Sequence, residues 1–245
     1  MDELFSKSID FHDDVFRNIV SIKETADYFD DINDELKELS DLANKIENLR
    51  QKDIPKDMIA RDFHYSTAIA YPFETEPYMA SRYGDGTYGV WYGSLELETT
   101  IFETVFHMIR LESQIENLDE PIIRERAIYK IYCESILIDL SHQHFKHPEL
   151  IANDYHHTQM IGHKFHKEGH PGLLAPSARY TGTNIVVFNP NILSNPRRFC
   201  SITYTFYPDL NEVLVENIPG KRNLKISKQH FEFQKNMSEV SNEML

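Results

Sequence analysis

SRYGDGTYGVWYGS, residues 81–94, spaces Gly84, Gly86 and Gly89 as G-x-G-x-x-G. Read literally, that is a dinucleotide-binding fingerprint, which requires a strand before the first glycine and a helix opening at the last, so that helix-terminal N–H groups meet a pyrophosphate. The second condition fails. Val90, Trp91, Tyr92 and Gly93 follow Gly89, a β-branched and aromatic run that reads as a strand, and the next helix signal waits until Ser94. The glycines therefore shape a turn between two extended segments within residues 77–93, and the stretch argues against a Rossmann domain.

Downstream, Ser94 reads as a helix N-cap with Glu96 and Glu98 in the first turn, where the helix dipole favours carboxylates. This helix runs to about Gln114 and carries Ile101, Val105, Met108 and Ile109 on its inner side. Residues 126–140 have strand propensity, a helix near 154–168 ends at Gly169, and NIVVF (184–188), FCSITYTF (199–206) and EVLVE (212–216) read as strands. Upstream, VFRNIVSI (15–22) reads as a short opening strand after a 1–14 extension. Ile32, Leu36, Leu39, Leu42, Ile46 and Leu49 then form one apolar stripe on an acidic amphipathic helix, packed on the domain core rather than forming a coiled-coil dimer seam, which usually needs more heptads. Residues 221–245 read as a polar tail. Helices cluster early and strands late, without regular alternation. The expected class is α+β with a mixed or antiparallel sheet.

The 245 residues suffice for a substantial core, and 25 basic against 39 acidic residues give a net charge of −14. Nucleic acids and anionic membranes are recognised through clustered Lys and Arg, so neither is an expected partner. Cys133 and Cys200 are the only cysteines, too few for a disulfide framework or cysteine metal site. The acidic start MDELFSKSIDFHDD is unlike a signal peptide, and no run of about 18 apolar residues occurs, so a cytoplasmic setting is expected. Eight of the twelve histidines lie between 142 and 170, but no HExxH form is present, and no metal site is expected. Neither G-x-S-x-G nor a P-loop occurs.

Four polar residues stand out by context. Arg82 enters the glycine turn, Tyr92 leaves it, Glu103 lies among Phe102, Val105 and Phe106, and Ser177 sits in GLLAPSARY before the NIVVF strand. A hairpin would bring Arg82 and Tyr92 to one end of a cleft. Taken singly, each has an ordinary structural role as a surface charge, a half-buried strand tyrosine, a helix carboxylate or a turn serine.

Together, MASRYGDGTYGVWYGSLELETTIFETVFH and the later GLLAPSARYTGTNIVVFNP resemble the RES domain, the toxin half of RES–Xre toxin–antitoxin pairs. The resemblance rests on Arg82, Tyr92 ten residues on, Glu103 eleven later with His107, and Ser177 with Arg179, and it covers residues 15–218. It implies an ADP-ribosyltransferase-like fold, with a helical insertion at about 24–60, and cleavage of the nicotinamide–ribose bond of NAD by a glycohydrolase or phosphorylase. NAD and, for a phosphorylase, inorganic phosphate would be substrates, and no cofactor is implied. The implied partner is an Xre-type helix-turn-helix antitoxin, with homodimerisation open. The acidic segment 27–49 is less similar to compact family members.

The chemistry fits these residue types. Nicotinamide leaves as a neutral molecule, so the group to stabilise is the oxocarbenium-like ribose, for which a preorganised carboxylate, Glu103, is suited. Arg82 and Arg179 suit a diphosphate, Tyr92 the nicotinamide ring, and Ser177 and His107 the ribose end. No base is evident beside Ser177, so a covalent serine intermediate is not expected. ADP-ribose transfer to a macromolecule shares the first step, and a non-catalytic binding module using the 32–49 stripe is the alternative of another class.

Overall fold

The computed structural model describes residues 4–21, 66–74, 77–115 and 118–231. The 32–49 stripe, the 24–60 insertion and the last fourteen residues of the chain lie outside these. The strands are β1 (Ser8–Val20), β2 (Trp91–Ser94), β3 (Ile122–Asp139), β4 (Gly172–Pro176), β5 (Thr183–Val187), β6 (Leu193–Tyr207), β7 (Glu212–Glu216) and β8 (Leu224–Ser227). Two longer helices, α1 (Leu97–Glu112) and α2 (His156–Glu168), accompany them, and two short helical turns span Ser66–Ala70 and Tyr71–Glu74. Every pairing is antiparallel except β3 with β4. The α+β class with a mixed sheet is therefore what the molecule has.

The sheet order is β1-β2-β5-β4-β3-β6-β7-β8, and an extra β1–β3 pairing closes the first five strands into a ring. One buried cluster draws on all five, with Phe11 and Val15, Trp91, Ile131 and Leu137, Leu174, and Ile185 and Val187. It is the interior of that ring. Trp91 is fully buried there and donates its indole N–H to the Ala68 carbonyl at 2.7 Å.

Beyond the ring, Ile101, Val105, Met108 and Ile109 of α1 pack on Ile202, Tyr204, Phe206, Val213, Val215 and Ile226 of β6–β8. This is the face of α1 that its periodicity selects. Ile161 and Phe165 of α2 pack on Leu173 and Val186 of β4 and β5. Gly169 ends α2 in the left-handed region, φ 76°, as a C-terminal glycine does. Among the described residues no helix is long and apolar enough to cross a membrane.

Several boundaries differ from the sequence reading. β1 starts at Ser8, inside the expected 1–14 extension, because Asp10, His12 and Asp14 alternate with the inward Phe11 and Val15. β3 begins at Ile122 rather than Arg126. Ser94 closes β2 instead of capping α1, whose N-cap is Glu96. Residues 221–227 are not a loose tail, since β8 pairs with β7 and Ile226 is fully buried. Of the 77–93 stretch only residues 91–93 are strand, as the start of β2. The rest is a loop in which Ser81 and Gly84 form an isolated bridge and Gly86 takes φ 92°, a conformation that favours glycine.

Candidate active site

Arg82 and Tyr92 are brought together by side chains rather than by a hairpin. The Tyr92 hydroxyl accepts the Tyr83 backbone N–H at 2.8 Å and pairs with Ser81 Oγ at 2.9 Å, so it fastens both neighbours of Arg82. The backbone of the turn is tied further by Ser81 N–H donating to Gly84 O at 2.7 Å. Gln159 of α2 donates to Ser81 O at 3.0 Å. The helix approaches so closely that a Cβ on Gly162 would lie 1.9 Å from Tyr83 O. Burial pushes the Tyr92 hydroxyl up to about 12, so it stays protonated near neutrality.

Arg82 is thereby aimed across the site. Its Nη1 donates to the carbonyls of Leu150 and Ala152, at 3.2 and 2.6 Å, and its guanidinium lies 4.5 Å from the centre of the Tyr155 ring. Both Nη1 bonds are thus spent on backbone. Among the described residues its Nε–Nη2 edge carries no hydrogen bond, and such an edge can take an anion bidentately.

Glu103 projects from α1 on the side away from its apolar face. Three donors converge on one of its oxygens, Oε1: Ser177 Oγ at 2.7 Å, Asn184 Nδ2 at 2.8 Å and the Ala178 N–H at 3.3 Å. Ser94 Oγ in turn donates to Asn184 Oδ1 at 2.7 Å, which fixes the amide's orientation. Among the described residues Oε2 carries no hydrogen bond. The carboxylate is clamped at one oxygen and open at the other.

Ser177 stands at the start of the loop from β4 to β5, which its N–H closes by donating to Gly182 O at 2.9 Å. Its hydroxyl gives its proton to Glu103 and accepts the N–H groups of Arg179 and Tyr180, at 3.1 and 3.0 Å. A hydroxyl has one donor and two acceptor sites, and all are taken. The expectation that no base stands beside Ser177 is corrected, because a carboxylate is in contact. What opposes nucleophilic attack is the occupation of both lone pairs.

Arg179 is buried, its guanidinium 3.5 Å from the centre of the Phe106 ring. Burial lowers its pKa, Glu103 opposes the shift and Arg82 adds to it. His107, one turn after Glu103, is lowered first by burial, then raised by Glu103 and lowered by Arg179, Arg110 and Arg82. These mutual effects place Arg82, Arg179, His107 and Glu103 within electrostatic reach of one another. Like charges packed together are costly unless an anion joins them.

All six residues picked from the sequence thus fall in one region, with Tyr92 beneath the turn as its fastener rather than beside Glu103. Asn184 and Tyr155 were not picked. Asn184 carries a weak signal, a lone amide opening the apolar run IVV, and Tyr155 carries none. Four of the eight histidines of 142–170 contact acids, His147 and His157 sharing Glu149 at 3.1 and 3.6 Å, His163 meeting Asp85 at 3.3 Å and His170 meeting Glu168 at 3.4 Å. Among the described residues no group of three or more metal-ligating side chains assembles.

The model of the RES domain matches residues 54–208, more than half of the chain. The chain belongs to the RES domain family. The match takes in Arg82, Tyr92, Glu103, His107, Ser177 and Arg179. A solved structure similar to this RES domain is that of the M. tuberculosis MbcT–MbcA toxin–antitoxin complex, at 12% identity and a TM-score of 0.45 over 83% of this chain and 88% of that one. No curated protein matches the chain.

Proposed function

We propose that this RES domain cleaves the nicotinamide–ribose bond of NAD and acts as the toxin of a toxin–antitoxin pair. The observation that carries the reading is the Glu103 carboxylate, held through Oε1 by three donors with Arg82 and Arg179 converging on the same region. In the reaction the C1′–N bond breaks and its electron pair neutralises the pyridinium, so no proton need be delivered to the leaving group. Positive charge grows on the ribose, and the open Oε2 of Glu103 is the group that meets it. Because Oε1 is already bonded, the carboxylate does not reorganise as that charge appears. The Nε–Nη2 edge of Arg82, with Arg179, answers the diphosphate.

An oxygen of water or of inorganic phosphate then bonds to C1′, water losing a proton to solvent. Loss of NAD halts growth, and an Xre-type antitoxin covering the site would prevent it.

The test is chromatography of NAD incubated with the purified protein, with and without phosphate. Nicotinamide with ADP-ribose, or with its phosphate ester when phosphate is present, is expected. Glu103→Gln should reduce release by roughly 10²–10³-fold while leaving the circular dichroism unchanged. Slow turnover accompanied by labelled protein or nucleic acid would instead indicate ADP-ribose transfer. Absence of nicotinamide release by the wild type would overturn the reading.

A further inference from the structure

The segment after β7 reaches the candidate site. Lys221 forms an ion pair with Glu98 in the first turn of α1, and β8 follows in register with β7, Val213 opposite Ile226 and Glu212 opposite Ser227. The chain then turns sharply, fixed by His230 Nδ1, which accepts the Ser227 N–H at 3.1 Å and lies 3.0 Å from Ser227 Oγ. That turn delivers Phe231 onto α1. Its ring stands edge-on to Phe106, centroids 5.2 Å apart at 78°, and to Phe102, 6.3 Å apart at 78°.

These two phenylalanines flank Glu103 on the helix, and each also holds part of the 177–182 loop. Phe102 stacks on Tyr180 with centroids 4.4 Å apart, and Phe106 carries the Arg179 guanidinium on its face at 3.5 Å. An aromatic ring binds a guanidinium through its face, so the attraction depends on the ring's tilt. Among the described residues of the C-terminal segment, Phe231 is the one whose ring packs on both.

We propose that Phe231 is a positioning residue for Arg179, so that the C-terminal segment is a working part of the anion-binding half of the site. The proposal rests on the reading of Arg179 as a group that holds the diphosphate of NAD. Contact runs from Phe231 through Phe106 to Arg179, and substrate would meet only the last of these. Removing the ring therefore weakens substrate capture more than the chemical step. A ring of the same shape restores it.

Phe231→Ala, Phe231→Leu and Phe231→Tyr are compared by NAD kinetics and by the Arg179 Nε–H resonance, assigned with Arg179→Lys. Phe231→Ala and Phe231→Leu should raise KM for NAD about tenfold with kcat within about twofold, and Phe231→Tyr should return it to the wild-type value. In both defective variants the upfield ring-current displacement of the Arg179 Nε–H should shrink toward the free arginine position. The resonance is read without ligand, so it tests the contact even if the wild type releases no nicotinamide, an outcome that would sink the NAD reading alone. An unmoved resonance with an unchanged KM would overturn the positioning role, as would a lowered Tm with both readouts intact.

Discussion

Asn184 and Glu103, 81 residues apart, meet through a hydrogen bond from Nδ2 to Oε1 at 2.8 Å. Ser94 holds the far end of the amide at 2.7 Å, so the donor cannot turn away without breaking a second bond. Replacing the amide by a carboxylate sets two like charges side by side, and such pairs resist double ionisation. Asn184→Asp should lower kcat/KM for NAD and move the acid limb of its pH profile upward by about one unit or more. Asn184→Ala should lower kcat with a smaller displacement. An unmoved limb in Asn184→Asp would detach this residue from the chemistry of Glu103.

Tyr92 holds the Arg82 turn through its hydroxyl, which fastens Ser81 and Tyr83 around Arg82. Tyr92→Phe keeps the ring and leaves the Tyr83 N–H without its acceptor. The stability loss should be about 1–3 kcal/mol, read from urea unfolding, together with a raised KM for NAD. A direct role of the hydroxyl in the bond-breaking step would instead reduce kcat at unchanged KM.

Much of this arrangement was legible because its physics is local. NIVVF, EVLVE and the Ile101, Val105, Met108, Ile109 stripe carry the period of the element they form, and Gly169 marks the end of α2. β1 was half hidden because its outward face is acidic and reads as solvent-exposed chain, though Phe11 and Val15 keep strand alternation. β8 was hidden because four residues are too few for a period, and pairing with β7 decides their state. Arg82, Glu103 and Ser177 were recoverable as a spaced set. Asn184 and Tyr155 were not, since their roles come from contacts 81 residues away in one case and from a ring lying on Arg82 in the other.

Gly162 tests the packing of α2 on the Arg82 turn. In an exposed helix Gly→Ala is favourable by about 1 kcal/mol, but here the added Cβ would sit 1.9 Å from the Tyr83 carbonyl oxygen and 3.0 Å from Tyr88 Oη. The helix or the turn must shift. Gly162→Ala should therefore destabilise the protein by about 1–3 kcal/mol or more and raise KM for NAD, because the displaced turn carries Arg82. A gain in Tm with unaltered kinetics would show that α2 does not constrain the turn.

His107 predicts a pH dependence of stability with a definite sign. Desolvation of the ring is the main reason that its pKa lies below the ordinary histidine value, although the residue keeps an exposed edge that limits the shift, and Glu103 pulls the other way against Arg179, Arg110 and Arg82. The unfolded chain therefore binds a proton at this position more readily than the native one. Stability must rise with pH through the window below about 6.5. It is undiminished above that window and falls as acid protonates the unfolded chain first. His144, lowered in the same direction chiefly by burial, adds to the slope. His107→Gln should flatten the urea-unfolding free energy between about pH 7 and pH 5, and His144→Gln should flatten it separately. A His107→Gln curve running parallel to the wild type would mean that this ring is as readily protonated in the folded protein as in water.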